Sequence, residues 1–200
     1  MNRRTFLQVS GLLAVARPAT GSSRNIHKAI MYETVKLPGS VLERFQAVKA
    51  AGFEGIEPMS HMDQAEVSNA LKSSGLKAVS VCCSTHWKKP LSDPNPAVRE
   101  EGVKGLEQAL HDAKTYGASS VLLVPGVVNK QTAYNDAYTR SQAEIRKVLP
   151  LAEQLGVRIA VENVWNQFLL SPLEAARYID EFNSPNIGWH FDVGNVINYG

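Results

Sequence analysis

Apolar and polar positions alternate in two short runs near the C-terminus, separated by a segment of helical period. In residues 157–162, Val157, Ile159 and Val161 share one face of a predicted strand, and Arg158, Ala160 and Glu162 share the other. In residues 187–192, Ile187, Trp189 and Phe191 oppose Gly188, His190 and Asp192 in the same way. The apolar faces must pack against helices. The small residues, and the acids that end each run, then face a crowded interior. Two parallel strands thus each aim a carboxylate inward at the C-terminal end, where α/β folds place ligand sites.

The same alternation of strand and helix runs through the chain upstream. The pattern predicts strands over 27–35, 53–57, 76–84 and 119–124, and helices over 40–51, 63–74, 97–116 and 135–155. Ser40 with Glu43, and Asp63 with Glu66, have capping-box spacing, and Gly52, Gly75, Gly117 and Gly156 follow the helices. Pro150 should kink or break the helix over 135–155. A further helix is capped by Ser171, with Pro172 at its first position and Glu174 as the return partner. Six strands alternate with five helices and no hairpin turn occurs, which implies a parallel sheet with right-handed crossovers. An open doubly wound sheet and a (β/α)8 barrel both fit. A barrel takes about 250 residues. Six of eight units and an end at Asn198-Tyr199-Gly200, just beyond a strand, suggest truncation at the C-terminus, with strands one and six left as unpaired edges.

Residues 1–25 are read apart from residues 26–200. Asn2-Arg3-Arg4-Thr5-Phe6-Leu7, then a short apolar run ending Ala14-Val15-Ala16, has the form of a twin-arginine export signal followed by a tether, and predicts an exported, periplasmic protein. An amphipathic N-terminal helix is the alternative. The run is too short and interrupted for stable membrane insertion. Cleavage after Ala16 would remove two arginines and no acids, taking the net charge from +2 to 0. A near-neutral body offers no electrostatic case for nucleic acid or an anionic membrane. With 44% hydrophobic and 20% charged residues the chain is of ordinary globular composition. Adjacent Cys82 and Cys83 point to opposite faces of a strand, as small apolar fillers.

These motifs resemble the xylose-isomerase-like barrel superfamily of sugar phosphate isomerases and epimerases, which includes endonuclease-IV-like proteins. The resemblance covers about residues 27–200. It is carried by Gly52-Phe53-Glu54-Gly55-Ile56-Glu57, Tyr116-Gly117-Ala118 leading to Val124-Pro125-Gly126, Val161-Glu162-Asn163, and Phe191-Asp192-Val193-Gly194-Asn195. It implies an α/β fold, a parallel (β/α)8 TIM barrel with about six units present. It also implies a divalent ion (Mn, Mg, Co or Zn) held by a Glu after strand five and an Asp after strand six, matched here by Glu162 and Asp192. The family's His after strand seven and Glu after strand eight would lie beyond Gly200. Many members carry His three residues after the Asp, at a substrate contact; Asn195 stands there instead.

The reading this supports is a metal-dependent isomerase or epimerase of a sugar or small hydroxy-carbonyl compound, working by proton transfer through an ene-diolate, with Glu162 as catalytic acid/base. A lyase or dehydratase using the same enolate chemistry, or a non-catalytic sugar-binding barrel, are the alternatives. An endonuclease-IV-like phosphodiesterase is disfavoured, because Asn195 replaces a histidine that its multi-metal cluster needs. Residues 1–200 alone, with two metal ligands, are expected to be inactive. His190, Glu57, His86, Trp87 and Asn195 are the candidate substrate contacts. Against these stand salt bridges for Glu162, Asp192 and Glu57, a hydrogen-bonded interior histidine for His190, and an exposed loop aromatic for Trp87. His61 and His111 are read as loop and helix-surface residues, and Lys88-Lys89 as a solvated pair. The expected partner is a sugar or keto-acid; homo-oligomer formation is left open.

Overall fold

The structure, a computed structural model, describes residues 26–199, so the expected export signal lies outside the described residues. Every strand pairing is parallel and joins strands that follow one another in the chain. Strand β1 (Ala29–Met31) pairs with β2 (Gly55–Glu57), and β2 with β3 (Lys77–Ala78). Strand β4 (Val81–Cys82) pairs with β5 (Ser120–Leu123), β5 with β6 (Arg158–Glu162), and β6 with β7 (Ile187–His190). A doubly wound sheet places its first strand in the middle. Sequential order is instead that of a barrel wall, and it decides between the two layouts.

The third predicted strand divides at Val79 and Ser80 into β3 and β4. Pairing continues across the break: Val79 N–H donates to Ile56 O (3.0 Å), Cys82 N–H donates to Pro58 O (2.9 Å), and Met59 bridges Cys82 in parallel. At the break the Ser80 hydroxyl donates to the Glu57 carboxylate. One wall is thus bent around an acid.

Among the described residues six α-helices connect or follow the strands: α1 (Val41–Ala50), α2 (Gln64–Ser74), α3 (Pro96–Tyr116), α4 (Tyr134–Leu155), α5 (Pro172–Asp180) and α6 (Val193–Tyr199). Ser40 and Ser171 cap α1 and α5 as full capping boxes. Asp63 caps α2 through Glu66 N–H. The row Val81, Val121, Ile159 and Ile187 lies buried on the helix-facing side of the wall, against a core that includes Leu106, Leu110, Ile145 and Val148. Burying each such side chain contributes about 1.5–3 kcal/mol. Cys83 belongs to this core. Cys82, one residue earlier, takes the opposite face, in register with Leu122.

Three expectations are corrected. Pro150 does not break its helix: α4 is continuous from Tyr134 to Leu155. Pro150 is exposed, so the carbonyl it leaves without a donor faces water, while Ile145, Val148, Leu149 and Ala152 hold the buried face. The last strand ends at His190, not Asp192. A helix follows it, α6, where the sequence pattern ended on a strand; Asp192 Oδ1 accepts the Asn195 N–H (2.9 Å) at its start.

One close approach fixes the loop after β4. A Cβ on Gly105 of α3 would come within 2.1 Å of Thr85 Oγ1, and one on Gly102 within 2.4 Å of the Lys89 carbonyl. Only glycine lets α3 lie this close to the loop that carries His86 and Trp87.

Candidate functional site

Registered residues of paired parallel strands share a face. Glu162 pairs with His190, and the row before it is Leu122, Ala160 and Gly188. The small residues leave room that the last row fills with ionisable groups. A cavity of about 270 Å³ opens there, lined by Glu57, Ser80, Leu122, Glu162, His190 and Asp192 among others. The structure therefore brings Glu57, Glu162, His190 and Asp192 to one cavity at the C-terminal ends of the strands.

The electrostatics of this cavity are unfavourable to the fold. Glu57 is buried, and its pKa is raised by burial despite the Ser80 hydrogen bond and the nearby His190. Burial, then Asp192 and Glu57, push Glu162 up to about 7. The Glu162 carboxylate makes no hydrogen bond or ion pair with any described residue. A half-buried carboxylate with acids for neighbours and no cation is what a ligand site leaves behind, not what packing selects.

Asn163, 2% exposed, holds the two strand ends together. Its Oδ1 accepts from Trp189 Nε1 (2.9 Å) and from Asp192 N–H (3.0 Å). Its Nδ2 donates to Asp192 O (2.9 Å), and its own carbonyl accepts from Asn195 Nδ2 (2.9 Å). One amide thus sets where Asp192 leaves β7 relative to Glu162. Sequence reasoning quoted Asn163 in a motif without giving it this task; a polar residue directly after the inward acid was the available signal.

The remaining predicted contacts separate. His86, 6% exposed, lies outside the acidic cavity: its Nδ1 accepts the Val124 N–H (3.2 Å), and burial lowers its pKa to about 4, leaving it neutral. It ties the loop after β4 to the end of β5. Trp87 and Asn195 line a neighbouring cavity of about 360 Å³ with Val164 and Trp165. His61 and His111 are exposed, the first in a loop and the second on α3; Lys88 is exposed and Lys89 pairs with Glu101. Among the described residues no three His, Cys, Asp or Glu side chains are grouped so as to hold a metal ion. Glu162 and Asp192 have the hard oxygen donors a divalent ion prefers, and the two could supply part of a coordination shell.

The Glu162 shift has a consequence for stability. Its folded pKa of about 7 exceeds the ordinary 4.5, so the fold favours the protonated form. The associated stability is fully present below pH 4.5 and is lost as pH rises through about 7. With chelator present, Glu162→Gln is expected to stabilise the protein at pH 8 by about 1–2 kcal/mol, allowing for solvent screening at the open mouth, and by little at pH 4. Urea unfolding at the two pH values checks this, and equal effects at both would refute it.

Sequential parallel strands with acids gathered at their C-terminal mouth define a (β/α) barrel, and the candidate site lies where that class places its ligand sites. The family model described as "Xylose isomerase-like TIM barrel" matches residues 45–200, and the chain belongs to that family. It is 27% identical over 168 residues to the L-ribulose-5-phosphate 3-epimerase UlaE of Escherichia coli O1:K1 / APEC, covering 78% of this chain and 59% of that protein. It spans the same 59% of UlaE from Escherichia coli O157:H7 (strain EC4115 / EHEC), again at 27% identity. The fold matches a D-tagatose 3-epimerase-like protein (TM-score 0.76, 16% identity, 88% of this chain and 68% of that one). It also matches the 3-keto-D-glucoside 4-epimerase YcjR of E. coli (TM-score 0.71, 18% identity, 82% and 68%). An L-ribulose 3-epimerase is similar to the same degree (TM-score 0.71, 20% identity, 85% and 61%).

Proposed function

We propose that the full-length protein is a metal-dependent epimerase or isomerase of a sugar or small hydroxy-carbonyl compound, acting in the periplasm. The observation that carries this reading is Glu162: a partnerless carboxylate, raised to about 7, at the mouth of a barrel beside Asp192, Glu57 and His190. A group of that pKa both takes and returns a proton near neutral pH, as inversion next to a carbonyl requires. The curated relatives, which are named for sugar 3-epimerisation, support the same chemistry.

In this reading Glu162 and Asp192 would hold a divalent ion that polarises the substrate carbonyl. Glu162 moves the proton at the adjacent carbon. Asn163 keeps the Asp192 backbone at its bonded distance, so the two carboxylates stay on one side of the cavity. Glu57, with Ser80, offers a hydrogen-bonding wall to a substrate hydroxyl, and His190 lines the same cavity in register with Glu162. Leu122, with Ala29 and Ile30, gives the cavity an apolar floor.

Calorimetric titration of the metal-free full-length protein with Mn²⁺ tests the proposal. One site is expected, with binding weakened at least about 100-fold in Asp192→Asn, a loss of about 2.7 kcal/mol. No binding by the wild type, or equal binding by the variant, would remove the metal from the reading.

A further inference from the structure

Two tryptophans stand exposed on loops that are otherwise pinned. Trp165 is 68% exposed, yet Asn163, Val164 and Asn166 around it are buried. Asn166 fastens the loop: its Nδ2 donates to Gly126 O (2.6 Å), its carbonyl accepts from Val128 N–H (3.0 Å), and its Oδ1 accepts from Phe168 N–H (3.1 Å). Trp87 is 53% exposed and stands edge-on to the buried His86 ring, centroids 5.4 Å apart. A rigid backbone that leaves a large aromatic ring in water holds that ring ready for a ligand at little entropic cost.

Both rings line the cavity of about 360 Å³, within the size range of small-molecule sites. Among the described residues this cavity shares no lining residue with the acidic one, but a hydrogen bond joins them, Asn195 N–H to Asp192 Oδ1. Asn195 Nδ2 is taken by the Asn163 carbonyl, and Asn195 Oδ1 has no partner among the described residues, leaving an acceptor at the junction. Among the described residues no charged side chain lines the aromatic cavity. A phosphate would lack the cation that such a group needs. The C–H faces of a sugar ring, by contrast, carry slight positive charge and stack on the electron-rich face of indole.

We infer that Trp87, Trp165 and Asn195 form a subsite for a second, neutral sugar ring, so that the substrate is a glycoside rather than a monosaccharide or sugar phosphate. This rests on the epimerase reading, which places the reacting ring in the acidic cavity. Trp165 then selects substrate through its exposed face, and Asn195 Oδ1 accepts from a hydroxyl near the linkage.

The test is tryptophan fluorescence and calorimetry on the full-length protein with Mn²⁺, using D-fructose, fructose 6-phosphate and a panel of glucosyl-fructoses of different linkage. At least one disaccharide is expected to bind about tenfold or more tightly than fructose, and fructose 6-phosphate no more tightly than fructose. Trp165→Ala is expected to reduce the disaccharide advantage to about twofold or less, with Trp165→Phe restoring part of it. The subsite is overturned if no disaccharide exceeds fructose, if the phosphate gives the gain, or if the gain survives in Trp165→Ala. Solvent deuterium exchange into the bound sugar is read separately. Its absence alongside a Trp165-dependent disaccharide preference would sink the epimerase reading and leave a glycoside-binding barrel.

Discussion

Glu162→Gln in the full-length protein is expected to slow exchange of the substrate proton next to the carbonyl by about 10²- to 10⁴-fold, the usual contribution of a positioned general base. Deuterium incorporation from D₂O, followed by NMR, reads that step directly. The substitution is informative because it costs the fold nothing: Glu162 has no hydrogen-bond or ion-pair partner to lose, and removing its charge relieves repulsion from Asp192 and Glu57. A more stable and much slower variant would separate chemistry from folding. Asp192→Asn is the matched control. Asn accepts a helix-capping hydrogen bond as well as Asp does, so the start of α6 should survive while the charge is lost. If Glu162→Gln exchanged protons at the wild-type rate, the acid/base assignment would fail whatever the metal does.

The inward acids were legible because strand alternation is strict. Once Val161 is known to face helices, Glu162 must face the interior, and the register with His190 bears this out. The capping serines were legible for the same reason: their spacing has one local explanation. What the pattern did not reveal depends on partners distant in the chain. The split at Val79 and Ser80 follows from Glu57, 23 residues earlier, taking the Ser80 hydroxyl. His86 looked like a mouth residue, but its ring turns down to the backbone of Val124, 38 residues on. Trp165 lies three residues past Glu162, and nothing in E-N-V-W-N says that the asparagines are buried and the tryptophan is not. Asp192 was placed on a strand because it continued the alternation; the Asn163 side chain and the cap on Asn195 pull it out of the ladder instead.

The largest stability effect expected in the protein lies away from these acids, at Asp112 on α3. Its carboxylate is fully buried and has no cationic partner. It is satisfied by three donors: His61 N–H (2.9 Å), Gln64 Nε2 (2.6 Å) and Gln108 Nε2 (2.8 Å). His61 lies in the segment between β2 and α2 and Gln64 is the first residue of α2, so a residue of the third helix fixes the loop that follows Glu57. His61 holds a left-handed backbone, φ 66°, which a residue with a side chain adopts at a cost. Asp112→Ala strands the His61 amide, which cannot turn away, and takes the acceptor from two half-buried glutamines, which can turn partly to water. A loss of about 3–4 kcal/mol in urea unfolding is expected, since each buried donor left unmade costs about 1–3 kcal/mol and the glutamines recover part of theirs. Asp112→Asn keeps one acceptor oxygen but turns an amide N–H₂ toward a donor, and should lose about half as much. An Asn variant as stable as the wild type would mean that the volume of the side chain, not its acceptors, holds the loop. A clear loss in the isosteric Asn variant, smaller than that in Ala, would establish that the wall of the acidic cavity is anchored by hydrogen bonds from a surrounding helix.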